Sequence, residues 1–204
     1  MYNRIINRLL RQAEVKNISS EEKVVFLTFD DGPEYGITEF ILDELAKYGF
    51  KATFFCRGDN AVKNPNLLLR LRAEGHSIGN HSYSHIHAYD VIGKDYILDV
   101  RKANEVLKTR LFRPPHGSLT FRTWLELRKD YKIVFWALNS EDSAKGSFDF
   151  QHAIDNLMSN TKTGDVVLFH FCNKHEKETR LLLPVYLEWL NKNGFIAKAI
   201  SEEK

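Results

Sequence analysis

Five short stretches carry side chains that can do chemistry: TFDDGP (residues 28–33), HSYSH (81–85), RPPHG (113–117), NSED (139–142) and LFH (168–170). The histidines of HSYSH stand four residues apart. On a helical turn that spacing puts both rings on one face, about 5 to 6 Å apart at Cβ, where they can share one metal ion. One carboxylate from the aspartate pair would complete a set of two histidines and one aspartate, which leaves a position open for water or substrate and so suits catalysis better than structure. A divalent ion in such a set lowers the pKa of its water from about 15.7 to about 7 and polarises a carbonyl oxygen, so an acyl bond becomes hydrolysable at neutral pH. The other aspartate is then free to act as the base, and His170 is the natural acid, with Asp142 able to hold its imidazolium charged. Consecutive side chains of a strand point to opposite faces, so Asp30 and Asp31 are expected to hold different partners. Arg113 reads either as a rim ion pair or as the partner of the base. His76, His87, His152 and His175 read as packing or surface histidines.

These residues need a scaffold that gathers them. From residue 24 the chain alternates short β-rich runs with longer segments of helical period, and no linker rich in Pro, Gly or Ser divides it. The expected strands are 24–30, 51–57, 76–82, 111–115, 132–138, 165–171 and 195–201, and helices are expected over 36–49, 64–75, 95–110, 120–131, 148–160 and 179–194. Apolar strands joined by helical crossovers pair in parallel. Ligands then sit at the carboxyl ends of the strands, where all five stretches fall. Sites spread over so many strand ends fit the mouth of a barrel better than the single crevice of an open sheet, so a one-domain α/β barrel is expected.

Composition removes other classes. The 204 residues carry 29 basic and 27 acidic side chains, a net charge of +2, with no long basic run, so nucleic acid is not the expected partner. Cys56 and Cys172 lack metal-type spacing and read as buried free thiols. Residues 1–23 hold no apolar stretch long enough for a secretory or membrane-spanning segment, and Ile5, Ile6, Leu9 and Leu10 recur at helical spacing. The expectation is a helical extension over 1–23, a catalytic domain over 24–204, and a cytoplasmic chain.

Taken in order, the five motifs resemble those of the polysaccharide deacetylases, metal-dependent carbohydrate esterases with the NodB homology domain, over about residues 24 to 200. The resemblance implies a distorted (β/α)7 barrel and removal of an acetyl group, N-linked in the first instance, from an amino-sugar-containing saccharide. It implies Asp30 as general base and Asp31, His81 and His85 as ligands of a divalent metal, zinc first, with cobalt or nickel as alternatives. It makes Arg113 the partner of the base, Asp142 the residue that tunes the acid and His170 the acid, with Leu168 lining the acetyl pocket and the backbone N–H at His116 holding the oxyanion. Three of the motifs depart from the family pattern, at four positions. His116 replaces a tyrosine, Asn139 and Ser143 stand where a carboxylate and a tryptophan are usual, and Phe171 replaces the aspartate after the acid. Losing the tryptophan removes stacking area for a sugar, so a short soluble acetylated saccharide is expected over an insoluble polymer. The rival readings are a relative cleaving another C–N or ester bond and a degenerate domain that only binds carbohydrate.

Overall fold

The first strand, β1 (Val24–Asp30), is buried at every position but Phe26, as a strand covered on both faces must be. The computed structural model describes residues 22–143 and 147–203. Within them β1 is followed by β2 (Thr53–Cys56), β3 (Ser77–Asn80), β4 (Leu111–Phe112), β5 (Lys132–Ile133), β6 (Leu138–Asn139), β7 (Val166–His170) and β8 (Ile196–Ala197). The helices are α1 (Ile37–Ala46), α2 (Gly58–Lys63), α3 (Pro65–Ala73), α4 (Gly93–Leu107), α5 (Phe121–Asp130), α6 (Phe150–Asn160) and α7 (Glu176–Lys192). All strand pairs are parallel, in the order β5-β4-β3-β2-β1-β7-β6, with β8 against the start of β1.

The run 132–138 was expected to be one strand and is two. Its first half pairs with β4 at one end of the sheet, and its second half pairs with β7 at the other. The chain between them continues both pairings: Val134 N–H donates to Phe112 O (2.8 Å) and Ala137 N–H to Val166 O (2.9 Å). A single stretch of backbone thereby closes the sheet into a distorted (β/α)7 barrel, with a seam at residues 134–137. The fourth strand is also shorter than expected, because Pro114 and Pro115 have no N–H to donate to a ladder. α2 precedes the second expected helix as a separate turn.

Alternation along the strands sorts the core into two layers. Val25, Leu27, Phe29, Phe54, Val167 and Phe169 face outward and pack with α1 and α7 residues such as Ile41, Leu45, Leu183 and Tyr186. Phe55, Leu111, Val134, Val166 and Ile200 face inward with Phe26 and Trp136 and fill the barrel. Thr28, Asp30, His81, Arg113, Leu168 and His170 continue this inward set, so the polar residues of the mouth are the upper layer of the barrel core.

Cys56 and Cys172 are free and buried, as expected. Burial pushes the Cys172 thiol up to about 12, and the Cys56 thiol is raised by the same cause. The expected N-terminal extension lies, apart from residues 22 and 23, outside the described residues. Among the described residues no helix is long and apolar enough to cross a membrane.

Candidate active site

The aspartate pair diverges because the backbone turns between its members. Asp30 ends β1 facing inward. Asp31, next in register, would face outward if the strand continued, but its φ of 85° swings it over the mouth. A left-handed backbone costs a non-glycine residue about 1–2 kcal/mol. The turn also needs Gly32, where a Cβ would lie 2.5 Å from both the ring and the carbonyl oxygen of Phe171. In this position Asp31 Oδ1 is 3.0 Å from His85 Nε2 and 3.5 Å from His81 Nε2. The three side chains offer ligand atoms that all lie within 4.8 Å of one another.

Protonation suits a metal. Asp31 Oδ1 is buried without a hydrogen-bond partner, an unusual cost unless something positive meets it. His81 Nδ1–H donates to the Arg113 carbonyl at 2.8 Å, which leaves the Nε2 lone pair facing the carboxylates. Burial lowers the His81 pKa to about 4, against the opposing pull of Asp30 and Asp31. Burial would raise the Asp31 carboxyl, but its contact with His85 and the charges of His81, His85 and His170 outweigh that and hold it well below the usual range. Neutral imidazole beside ionised carboxylate is the state in which these groups ligate.

HSYSH does not form the expected helical turn. It leaves β3 as a loop with left-handed Ser82 and His85 (φ 61° and 60°), and the loop itself brings the two rings to 5.1 Å between centroids. Side chains absent from the sequence reading pin it. Asn80 donates to the Val100 carbonyl and accepts from Ser82 N–H, Asp99 of α4 accepts from Tyr83 N–H, Ser84 N–H and Ser84 Oγ–H, and Ser82 Oγ accepts from His85 N–H.

Arg113 is wholly buried and all its bonds are inside the barrel. Nη1 donates to Asp30 Oδ1 and to Thr28 Oγ1, both at 2.8 Å, while Nε and Nη2 donate to the carbonyls of Val134 and Phe135 at 3.3 Å. The guanidinium also lies 4.2 Å over the Phe55 ring. With Oδ1 taken, Asp30 presents Oδ2 to the metal cluster, 3.8 Å from His81 Nε2. The ion pair and the pairing with the candidate base are thus one contact.

Across the mouth, His170 Nδ1 is 2.7 Å from Asp142 Oδ1, and the His170 backbone N–H donates to Asp142 Oδ2 at the same distance. Thr179 of α7, not anticipated, donates to Oδ2 at 3.0 Å. Burial alone would lower the His170 pKa, but the charge and hydrogen bond of Asp142 raise it to about 9. Nδ1–H being engaged, Nε2–H is left to donate. Leu168, buried two residues earlier on the same face of β7, lines the interior below it. His175, taken from sequence as packing or surface, sits against His170 with ring centroids 5.2 Å apart.

The departures divide between the mouth and the outer core. His116 has a left-handed backbone (φ 58°) and packs edge-on against His85, centroids 4.6 Å apart, with His87 beyond it at 5.1 Å. His87 in turn is 3.1 Å from Ser118 Oγ. Asn139 Oδ1 accepts from Glu141 N–H, supporting the turn that carries Asp142. Phe171 is buried in the outer layer against Phe54, centroids 5.1 Å apart, where an aspartate would meet only apolar neighbours.

Comparison with known proteins agrees with this geometry. Residues 17–134 match the family model described as polysaccharide deacetylase. A peptidoglycan-N-acetylglucosamine deacetylase of Bacillus cereus is 33% identical over 193 residues, covering 91% of this chain and 90% of that protein. A second protein of the same name and organism is 37% identical over 154 residues, covering 72% of this chain and 55% of the relative. Among solved structures, the Bc1960 peptidoglycan N-acetylglucosamine deacetylase superposes with a TM-score of 0.83 at 30% identity, covering 91% of this chain and 92% of that one. Motifs, barrel and relatives agree, and the chain belongs to the polysaccharide deacetylase family.

Proposed function

We propose that this chain hydrolyses the N-acetyl group of an amino sugar within a saccharide, with N-acetylglucosamine as the acceptor. The observation that carries the reading is the cluster of Asp31, His81 and His85 flanked on one side by the Asp30–Arg113 pair and on the other by the His170–Asp142 pair. The first three residues would hold a divalent ion, zinc in the first instance, which when bound supplies Lewis-acid polarisation of an acyl oxygen and of water.

The remaining chemistry belongs to the chain. Asp30 Oδ2 takes a proton from the water that attacks the acetyl carbon, while Arg113 fixes Oδ1 and so aims the other oxygen. His170 Nε2–H gives a proton to the nitrogen as the C–N bond breaks, releasing acetate and a free amine. A raised pKa keeps that proton in place at neutral pH. On this reading the backbone N–H of His116 would donate to the developing oxyanion and Leu168 would line the space around the methyl group. Each proton transfer contributes about 10²- to 10⁴-fold.

The test is acetate release at matched acetyl concentration from short chitooligosaccharides, peptidoglycan, acetylated xylan and non-sugar acetamides. Turnover of N-acetylglucosamine compounds ahead of the others is expected. Ser143 at the rim, in place of an aromatic wall, favours the short soluble ones. Turnover of only the acetamides would move the chain to another C–N bond, and metal binding without any turnover would leave a carbohydrate-binding domain.

A further inference from the structure

The left-handed turn at Asp31 has dedicated supports that the five motifs do not contain. Asn60, on α2 and buried, donates through Nδ2 to the Asp31 carbonyl at 2.8 Å and to Glu34 Oε1 at 3.2 Å. The other oxygen of Glu34, Oε2, accepts the backbone N–H of Asn173 at 2.7 Å. Asn173 lies three residues after His170 and opens the short turn that carries His175. Asn64 adds a bond to the Pro33 carbonyl at 2.9 Å. One carboxylate therefore ties three segments together: the loop that carries Asp31, the helix behind it, and the loop that follows the candidate acid.

We infer that Asn60 and Glu34 are positioning residues, Asn60 fixing Asp31 for metal binding and Glu34 joining that half of the site to the half that bears His170. The inference rests on the metal reading proposed above. It gives the two residues different signatures, because Asn60 touches only the Asp31 loop whereas Glu34 touches both. Outer-shell partners of metal ligands typically carry 10- to 100-fold in affinity. Asn60→Ala should weaken zinc binding by that factor, yet return to within a few-fold of the wild-type kcat once zinc saturates. Asn60→Asp, of equal size but without the donor, should weaken binding at least as much. Glu34→Ala should lower both zinc affinity and the kcat measured at saturating zinc. Glu34→Gln should do so partially, since the two bonds fall on different oxygens and one of these becomes an NH2 donor that can accept neither.

The experiment titrates zinc into metal-free protein against a chromophoric chelator, with a thermal melt of every variant and kcat at saturating zinc. A purely packing role would lower the melting temperature and leave zinc affinity in the folded protein unchanged, and that result for both Asn60 variants would overturn the inference. If Asn60→Ala does not fold, Asn60→Asp and Glu34→Gln carry the same decision. Equal kcat for Glu34→Ala and wild type at saturating zinc would overturn the link to the His170 half alone. Failure of the wild-type protein to take up zinc, with His85→Ala behaving identically, would instead overturn the metal reading and this inference with it.

Discussion

Replacing Asp142 with asparagine should move the alkaline limit of activity to lower pH by about two pH units. Asp142 is buried and meets His170 through two 2.7 Å contacts, one to the ring and one to the backbone. The rise of the His170 pKa from 6.5 to about 9 amounts to about 3 kcal/mol of preference for the imidazolium. Without the carboxylate, burial pulls the pKa back toward the ordinary 6.5, opposed only by the more distant charges of Asp30 and Asp31. At pH 8 the wild-type acid is then about nine-tenths protonated and a variant with its pKa back near 6.5 only about 3%, a loss in kcat of about 30-fold, whereas at pH 5.5 the two differ little. A cation bound at Asp31 would lower both values, so the difference between the proteins is the quantity to measure. The same pair acts on stability. Because the folded pKa is raised, its contribution is fully present below pH 6.5 and disappears as the pH climbs through about 9. The melting temperature of the wild type should therefore fall over that window relative to Asp142→Asn. Acetate-release pH profiles and melts at each pH supply both readouts, and an alkaline limb at the same pH in the two proteins would refute the reasoning.

His170→Ala should cut kcat by about two to four decades on N-acetyl substrates and much less on activated acetyl esters, whose leaving groups need little protonation; equal losses in a side-by-side assay would remove the acid role. Asp30→Asn should retain stoichiometric zinc by metal analysis but lose turnover, and loss of zinc instead would exchange the tasks of the two aspartates. Arg113→Met strands a buried carboxylate and should cost about 3–5 kcal/mol in denaturant unfolding, an effect that Asp30→Asn in the same chain should partly relieve.

Much of the site was legible because the titratable residues of five stretches fall at the same ends of parallel strands. Parity places Asp30 inside, whereas Asp31 reaches the mouth only through a left-handed turn that parity does not foresee. The fold class follows from the same alternation. What could not be read depends on contacts between segments distant in the chain. KIVFWAL is apolar at nearly every position and carries no mark of the break that barrel closure imposes. The HSYSH loop imitates a helical turn in spacing, and only Asn80 and Asp99, outside the motif, decide that it is a loop. Thr179 opens an ordinary amphipathic helix, and its bond to Asp142 spans 37 residues. Glu34, Asn60 and Asn173 form no motif, and their meeting point exists only once two loops and α2 converge.

The seam at residues 134–137 gives Arg113 a second consequence. Where the sheet has no continuous ladder, the Val134 and Phe135 carbonyls receive their bonds from the same guanidinium that grips Asp30. The arginine rivets the staves of the cask at the place where they fail to meet, and the rivet head is the anchor of the candidate base. Drift in the seam and drift in the reaction centre are for that reason one movement. A chain of this design cannot relax its wall on that side without also loosening the grip on Asp30.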